Sequence, residues 1–284
     1  MVSMLRIVTL NTFQAGYRVV SEWAASNGHE LVLLVTLPSG GERYDATAPP
    51  LVASVPPELD VLVTKKLRGV AAPVIEALEP DLIISAAFPR LIPDEVLKIP
   101  RYGALNCHPS PLPAGRGPNP QRLIYEGADE VAASVHRTEP GFDTGAVLAQ
   151  RSMPLPADLN GGPLMESWRT LLTACLDEAV PRAVAGDRGD LQDPSKVTEA
   201  PAFTPEEHVL DLTEPAAVVR RKAAALNITA VRARVLLDGA EYLVARTDPA
   251  EAAAGKPGSV VASHPDGFTV RTADAALRLT AARS

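Results

Sequence analysis

Four short apolar runs, set between helical patterns and turns, constrain this fold more than any other feature of the sequence. Residues 5–10 (LRIVTL) and 30–37 (ELVLLVTL) read as strands buried on both faces. Between them lies a helical segment near residues 17–26, which Gly28 can terminate. Val70, Ala71, Val74, Ile75 and Leu78 recur at helical spacing, and Pro80 blocks continuation. Residues 82–85 (LIIS) and 103–107 (GALNC) supply two more strands. Strands alternating with helices predict an α/β fold: an open, mostly parallel, doubly wound sheet with helices on both faces. Ligands of such sheets bind beyond the carboxyl ends of the strands. Residues 88–93 and 108–113 both fall there.

The pattern changes in the last third. Residues 186–205 (GDRGDLQDPSKVTEAPAFTP) are rich in Gly, Pro and Asp. The expected organisation is a larger domain over 1–188, a linker over 189–205 and a small β-rich domain over 206–284. In the last of these, Thr213 is expected to cap a helix ending near Leu226. Short strands follow, with Asp238-Gly239 and Asp266-Gly267 as hairpin turns, which predicts a small antiparallel barrel or sandwich. Residues 251–255 (EAAAG) read as a loop, and no internal repeats are evident.

Composition narrows the classes of partner. The chain of 284 residues carries 27 basic and 34 acidic residues, a net charge of −7. From Glu206 onward the signs balance at ten each, so the first 205 residues carry the whole excess. A protein that grips nucleic acid presents a basic surface to phosphates, and none is evident here. The two cysteines, Cys107 and Cys175, give no disulfide framework and point to a reducing compartment. No apolar run approaches the length of a membrane span. The opening residues read as a strand rather than a signal peptide. The expectation is a soluble cytoplasmic protein with no membrane partner; oligomeric state is not legible.

Asn106-Cys107-His108-Pro109-Ser110, followed at a distance by Gly141-Phe142-Asp143-Thr144-Gly145, carries the chemistry. An amide can donate to a polarised carbonyl oxygen. An imidazole exchanges protons near neutral pH, and a carboxylate orients and charges it. The trio Asn106, His108 and Asp143 suits acyl transfer to an amine. Taken singly, Asn106 also fits a turn at a strand end and His108 a satisfied loop histidine. Asp143-Thr144-Gly145 matches half of an aspartic-protease pair, but that chemistry needs two such aspartates and another fold. His108, His136 and Asp143 are a possible metal set, yet no close Cys/His spacing supports one, so no metal is expected. Alternation along an extended segment turns Cys107 away from its neighbours, towards packing rather than nucleophilic attack. No G-x-G-x-x-G follows the first strand, so there is no dinucleotide fingerprint. Arg220-Arg221-Lys222 lies on a predicted helix and reads as a solvated face.

The stretch NCHPSPLPAGRGPNPQRLIYEG, then AASVHRTEPGFDTGAVL, resembles the formyltransferases that use 10-formyltetrahydrofolate, whose shared pattern is N-x-H-x-S-x-L-P with a downstream D-x-G. Residues 80–93 (PDLIISAAFPRLIP) resemble that family's folate-pocket strand and loop. Residues 203–227 resemble the entry to the C-terminal domain of methionyl-tRNA formyltransferases. The resemblance covers most of the chain. It implies 10-formyltetrahydrofolate as co-substrate and Asn106, His108 and Asp143 as catalytic residues. It also implies Phe88, Arg90, Leu91 and Ile92 around the pterin, closed on the other side by Gly141, Phe142 and Thr144. Ser110, Arg116, Asn119 and His136 are the candidates on the acceptor side.

Departures from the family pattern bear on the acceptor. Pro111 stands where an apolar non-proline residue is usual, and RGPNP (116–120) resembles enzymes acting on small biosynthetic amines or sugars more than the RGAAP of tRNA enzymes. Residues 39–50 lack the basic cluster expected for an acceptor stem, and residues 226–235 lack a Trp-Pro. The expected function is formyl transfer to a small amine or hydroxylamine, such as N-hydroxyornithine, an amino acid or an amino sugar. Methionyl-tRNA formylation, hydrolysis of 10-formyltetrahydrofolate and non-catalytic binding of folate or RNA remain alternatives, with tRNA the disfavoured partner.

Overall fold

A computed structural model describes residues 3–38, 51–251 and 254–282. Residues 39–50, the stretch without a basic cluster, lie outside the described residues, as do residues 1–2 and residues 252–253 of the 251–255 loop.

The alternating apolar runs become β1 (Arg6–Leu10), α1 (Gln14–Ser26), β2 (Glu30–Thr36), β3 (Val61–Val63), α2 (Ala72–Ala77), β4 (Leu82–Ala86), α3 (Asp94–Leu97) and β5 (Ala104–His108). The single helix expected from residue 70 is instead a π-helical turn, Leu67–Ala71, running into α2. Pro73 lies in the first turn of α2, the position where a missing N–H and a fixed φ cost least. β6 (Glu130–Arg137) and β7 (Val147–Pro154) complete a seven-stranded sheet of order β3-β2-β1-β4-β5-β6-β7. The first five strands in that order pair in parallel, and β6 runs antiparallel to β5.

Alternation sends the strands' side chains to two cores. Val8, Leu10, Leu33, Val35 and Ile83 pack against Ala71, Ile75 and Val96, while Leu34 packs with Tyr17 of α1. Both faces are covered, as near-continuous apolar strands require. The long helix α5 (Gly161–Val184) hydrogen-bonds β6 and α1: Trp168 Nε1 donates to Ala132 O at 3.1 Å, and Trp23 Nε1 of α1 donates to Asp177 Oδ1 at 2.9 Å. Strand order reverses direction between β1 and β4, and their carboxyl ends open the crevice where ligands of such sheets bind.

The chain forms two compact units. The first comprises Met1–Pro118, Ala132–Ser152 and Trp168–Glu199; the second comprises Asn119–Val131, Met153–Ser167 and Ala200–Ser284. Two segments from earlier in the chain, Asn119–Val131 and Met153–Ser167, thus go with the C-terminal residues, and the Gly/Pro/Asp-rich stretch belongs to the first unit as far as Glu199.

The second unit holds α4 (Arg122–Glu126), α6 (Ala216–Leu226) and strands β8 (Arg234–Leu237), β9 (Ala240–Pro249), β10 (Val260–His264), β11 (Gly267–Arg271) and β12 (Ala276–Ala281). These strands form an antiparallel half-barrel sheet of order β10-β11-β12-β9-β8 around Val219, Leu226, Val244, Val270 and Leu277. Asp238-Gly239 is the β8–β9 turn, both residues at positive φ, 49° and 81°. Two expectations shift. Helix α6 begins at Ala216, after Pro215, so Thr213 does not cap it; Ala216 N–H donates instead to Asp274 Oδ1 at 2.8 Å. The β10–β11 turn is Pro265-Asp266, because Gly267 pairs with His264 inside the ladder. A Cβ there would lie 2.0 Å from Leu279 O, so the glycine serves a close approach rather than the turn.

Candidate active site

β5 ends beside the crevice and carries Asn106 and His108 on one face. Cys107 points the other way, buried and without a disulfide. Burial pushes the Cys107 thiol well up, and that of Cys175 to about 12, so neither supplies a thiolate at neutral pH. The antiparallel register sets Asn106 opposite His136 of β6, and the parallel register sets it opposite Ser85 of β4.

Asp143 joins this cluster from the loop between β6 and β7. Its backbone adopts φ 56°, uncommon for a residue with a side chain. Gly145 follows because nothing larger fits: a Cβ would lie 1.8 Å from Arg137 O. The D-x-G spacing is therefore a packing requirement of this turn as well as a chemical one.

Hydrogen-bond partners fix the protons. His136 Nδ1 lies 2.7 Å from Arg137 O, which only an N–H can satisfy, leaving Nε2 as an acceptor 3.2 Å from Asn106 Nδ2. His108 Nε2 lies 2.9 Å from Gly115 O, so it too carries the proton. Its Nδ1 then faces Asp143 Oδ1 at 3.4 Å with a lone pair. Asn106 Nδ2 donates to Asp143 Oδ1 at 3.2 Å as well, and Asn106 Oδ1 accepts from Ser85 Oγ at 2.7 Å. Both hydrogens of the Asn106 amide are thus engaged, and its oxygen accepts one bond.

Burial would raise the Asp143 carboxyl, but the hydrogen bond and positive charge that His136 offers when protonated, the charge of protonated His108 and the Gly117 N–H at 2.9 Å outweigh it and hold it at about 2. Burial lowers the His108 imidazole against the opposing pull of Asp143. The resting site is a neutral imidazole beside an ionised carboxylate, ready to accept a proton at Nδ1.

The other residues expected at the site are spread more widely. Leu91 and Phe142 expose 48% and 54% of their surface. Thr144 is also exposed, and its side chain lies 2.7 Å from where a Gly141 Cβ would be. Phe88 is partly buried and Ile92 fully buried in the core with Val96. Arg90 Nη1 donates to Lys65 O at 2.8 Å. Ser110 is buried, with its hydroxyl on Ala114 O at 2.7 Å. Asn119 opens the second unit, where its N–H donates to Ala200 O at 3.2 Å. The structure thus gathers Asn106, His108, His136 and Asp143, and buries Ile92 and Ser110.

Sequence reasoning missed residues 190–199. Arg116 N–H donates to Thr198 O and Gly115 N–H to Thr198 Oγ1, both at 2.9 Å. Gln192 bonds both Arg116 and the Asp143 turn. Nothing in a Gly/Pro/Asp-rich stretch marks a lone Gln as part of a site. A groove of about 500 Å³ runs behind this loop, lined by residues that include Leu112, Val147, Arg182 and Gln192. None of the Asn106, His108 and Asp143 side chains lines it.

Known proteins share both the sequence and the fold. The formyl transferase profile matches residues 6–180, and the formyl transferase C-terminal domain profile matches residues 203–284. The methionyl-tRNA formyltransferase of Pseudomonas paraeruginosa is 34% identical over 258 residues, covering 89% of this chain and 83% of the relative. HypX from Aquifex aeolicus, solved in complex with tetrahydrofolic acid, superposes with a TM-score of 0.73 at 23% identity, covering 98% of this chain and 44% of HypX. This chain therefore spans less than half the length of HypX. An N-formyltransferase from Helicobacter canadensis, solved with folinic acid and dTDP-3-aminofucose, superposes with a TM-score of 0.69 at 13% identity, covering 98% of this chain and all of that one. With both profiles matched in order along its length, the chain belongs to the formyl transferase family and has its C-terminal domain as well as its transferase domain.

Proposed function

We propose that this protein transfers a formyl group from 10-formyltetrahydrofolate to the nitrogen of a small amine or hydroxylamine. The observation that carries the chemistry is the proton arrangement at the site. Gly115 O and Arg137 O fix both histidine tautomers, so His108 Nδ1 is the open base and Asn106 the adjacent donor. Exposed Leu91 and Phe142 fit the apolar faces of a pterin, and relatives solved with folates have the same fold.

The donor supplies the formyl carbon and leaves as tetrahydrofolate. As the amine nitrogen bonds that carbon, the carbonyl electron pair moves to oxygen and the amine proton passes to His108 Nδ1. The new Nδ1–H, which faces Asp143 Oδ1, donates to it and releases the Asn106 N–H formerly given to that oxygen. Asn106 then donates to the developing oxyanion, where such a bond is worth about 2.7–4 kcal/mol. Collapse breaks the bond between the formyl carbon and the folate nitrogen, and His108 returns its proton to that nitrogen. No covalent bond to the enzyme forms.

Charge supports the small acceptor. In the second unit Arg122, Lys222, Arg234, Arg246 and Arg278 each face a carboxylate, and the first 205 residues carry the net −7. Neither feature favours phosphates. A hydroxylamine suits the site because it is unprotonated and nucleophilic at neutral pH. Methionyl-tRNA formylation is the second reading, favoured by relatives such as that of P. paraeruginosa over 89% of the chain. The test supplies 10-formyltetrahydrofolate with N-hydroxyornithine, amino acids, amino sugars or initiator methionyl-tRNA, and follows tetrahydrofolate formation. Turnover with a small amine and none with tRNA supports the first reading. Turnover with tRNA alone replaces it with the second, and formate release without any amine replaces both with hydrolysis.

A further inference from the structure

We propose that Gln192 is a positioning residue for Asp143: its side-chain amide holds the turn that aims the carboxylate, and Arg116 holds the amide. The inference rests on the role given to Asp143 above. Gln192 Nε2 donates to Asp143 O at 2.8 Å and to Gly145 O at 2.7 Å, the two carbonyls that bracket the turn. Its Oε1 accepts from Arg116 Nε at 3.1 Å and from Nη2 at 2.7 Å. Both hydrogens of the amide and its oxygen are thus in use, and only an amide of this length offers two donors at one end and an acceptor at the other.

The turn needs such a hold. Asp143 sits at φ 56°, a region disfavoured for a non-glycine residue that persists only where surroundings enforce it. Asp190 delivers Gln192 to its place by exchanging two backbone hydrogen bonds with Val147, each 2.8 Å. Gly189 permits that approach: a Cβ there would lie 2.9 Å from Val147 O. The consequence for chemistry is direct, because Asp143 Oδ2 is aligned on the Gly117 N–H and Oδ1 on Asn106 and His108.

The alternative is a tether that merely ties residues 190–199 to Arg116. Gln192→Glu separates the two roles. Glutamate keeps, as an ion pair, the acceptor for Arg116, but sets a carboxylate oxygen against the carbonyls of Asp143 and Gly145. Gln192→Met, which removes both ends, is the second variant if the first folds poorly. Steady-state transfer and amide hydrogen exchange by NMR are measured on the full chain. The expected result is a loss of about 10²-fold in kcat with donor KM little changed, the effect of a misplacement near 1 Å. The Gly117 amide should exchange at least about tenfold faster while the Arg116 amide, held by Thr198 O, stays protected. Wild-type kcat and a protected Gly117 in Gln192→Glu would overturn the proposal, as would equal loss of protection at Gly117 and Arg116. If the wild-type protein transfers formyl to no acceptor, the functional reading fails, and the exchange of Gly117 against Arg116 still decides the role of Gln192.

Discussion

The β5–β6 strand pair and the 141–145 turn supply the same cluster by opposite means. Asn106, His108 and His136 ride on ladders whose register is enforced along Leu105–Arg137 and Ile83–Ala104 pairings as well as at the site itself. Asp143 depends on a handful of contacts from distant residues: Gly117, Gln192 and the close approach of Gly145 to Arg137. A strand distributes an error over many backbone bonds, whereas a turn at positive φ concentrates it. Substitutions outside the chemistry should therefore hurt the turn far more than the strands.

The largest effect expected is from Asp143→Asn, which removes the charge that stabilises protonated His108 and lowers the formyl transfer rate about 10³-fold. Asn106→Ala should cost about 2.7–4 kcal/mol of transition-state stabilisation, read as kcat/KM. Gly145→Ala leaves all four polar side chains of the cluster intact yet forces the turn off Arg137 O, and should lower transfer about 10²-fold. Full activity there would erase the contrast between turn and strand. Cys107→Ala, within β5 and between two site residues, sharpens it from the other side. That change should alter transfer little and lower stability by about 1 kcal/mol, measured by urea unfolding.

The pH profile tests the cluster as a whole. Folding lowers the His108 imidazole below its usual value of 6.5 and the Asp143 carboxyl from 3.8 to about 2. In both cases the unfolded chain binds more protons, so acid favours unfolding. The His108 contribution is complete above pH 6.5 and fades as pH falls below it. That of Asp143 is complete above 3.8 and lost towards 2. The acid limb of kcat/KM should accordingly lie below pH 6.5, and a limb above it would place a proton on resting His108.

The same contrast explains what the sequence made legible. Strand runs such as ELVLLVT are apolar along their whole length, because both faces of a parallel sheet are covered, and that local signal was sufficient to predict the architecture. Asn106 and His108 could be read as one face from their spacing alone. The placing of His136 against Asn106 depends on a ladder between residues 30 positions apart, which no local pattern encodes. Gln192 was hidden for another reason: its neighbours have the composition of a linker, while its role comes from four hydrogen bonds made far away in sequence. Gly267 shows the limit of turn signals, since a glycine after aspartate served strand approach rather than the turn.

The most direct test of the account is the single-turnover rate of formyl transfer by wild type and Asp143→Asn, both saturated with 10-formyltetrahydrofolate and with the acceptor turned over best in the panel. A fall of about 10³-fold with folate binding retained is the result predicted. Rates within about threefold of each other would show that Asp143 does not assist the proton on His108, and would contradict the mechanism.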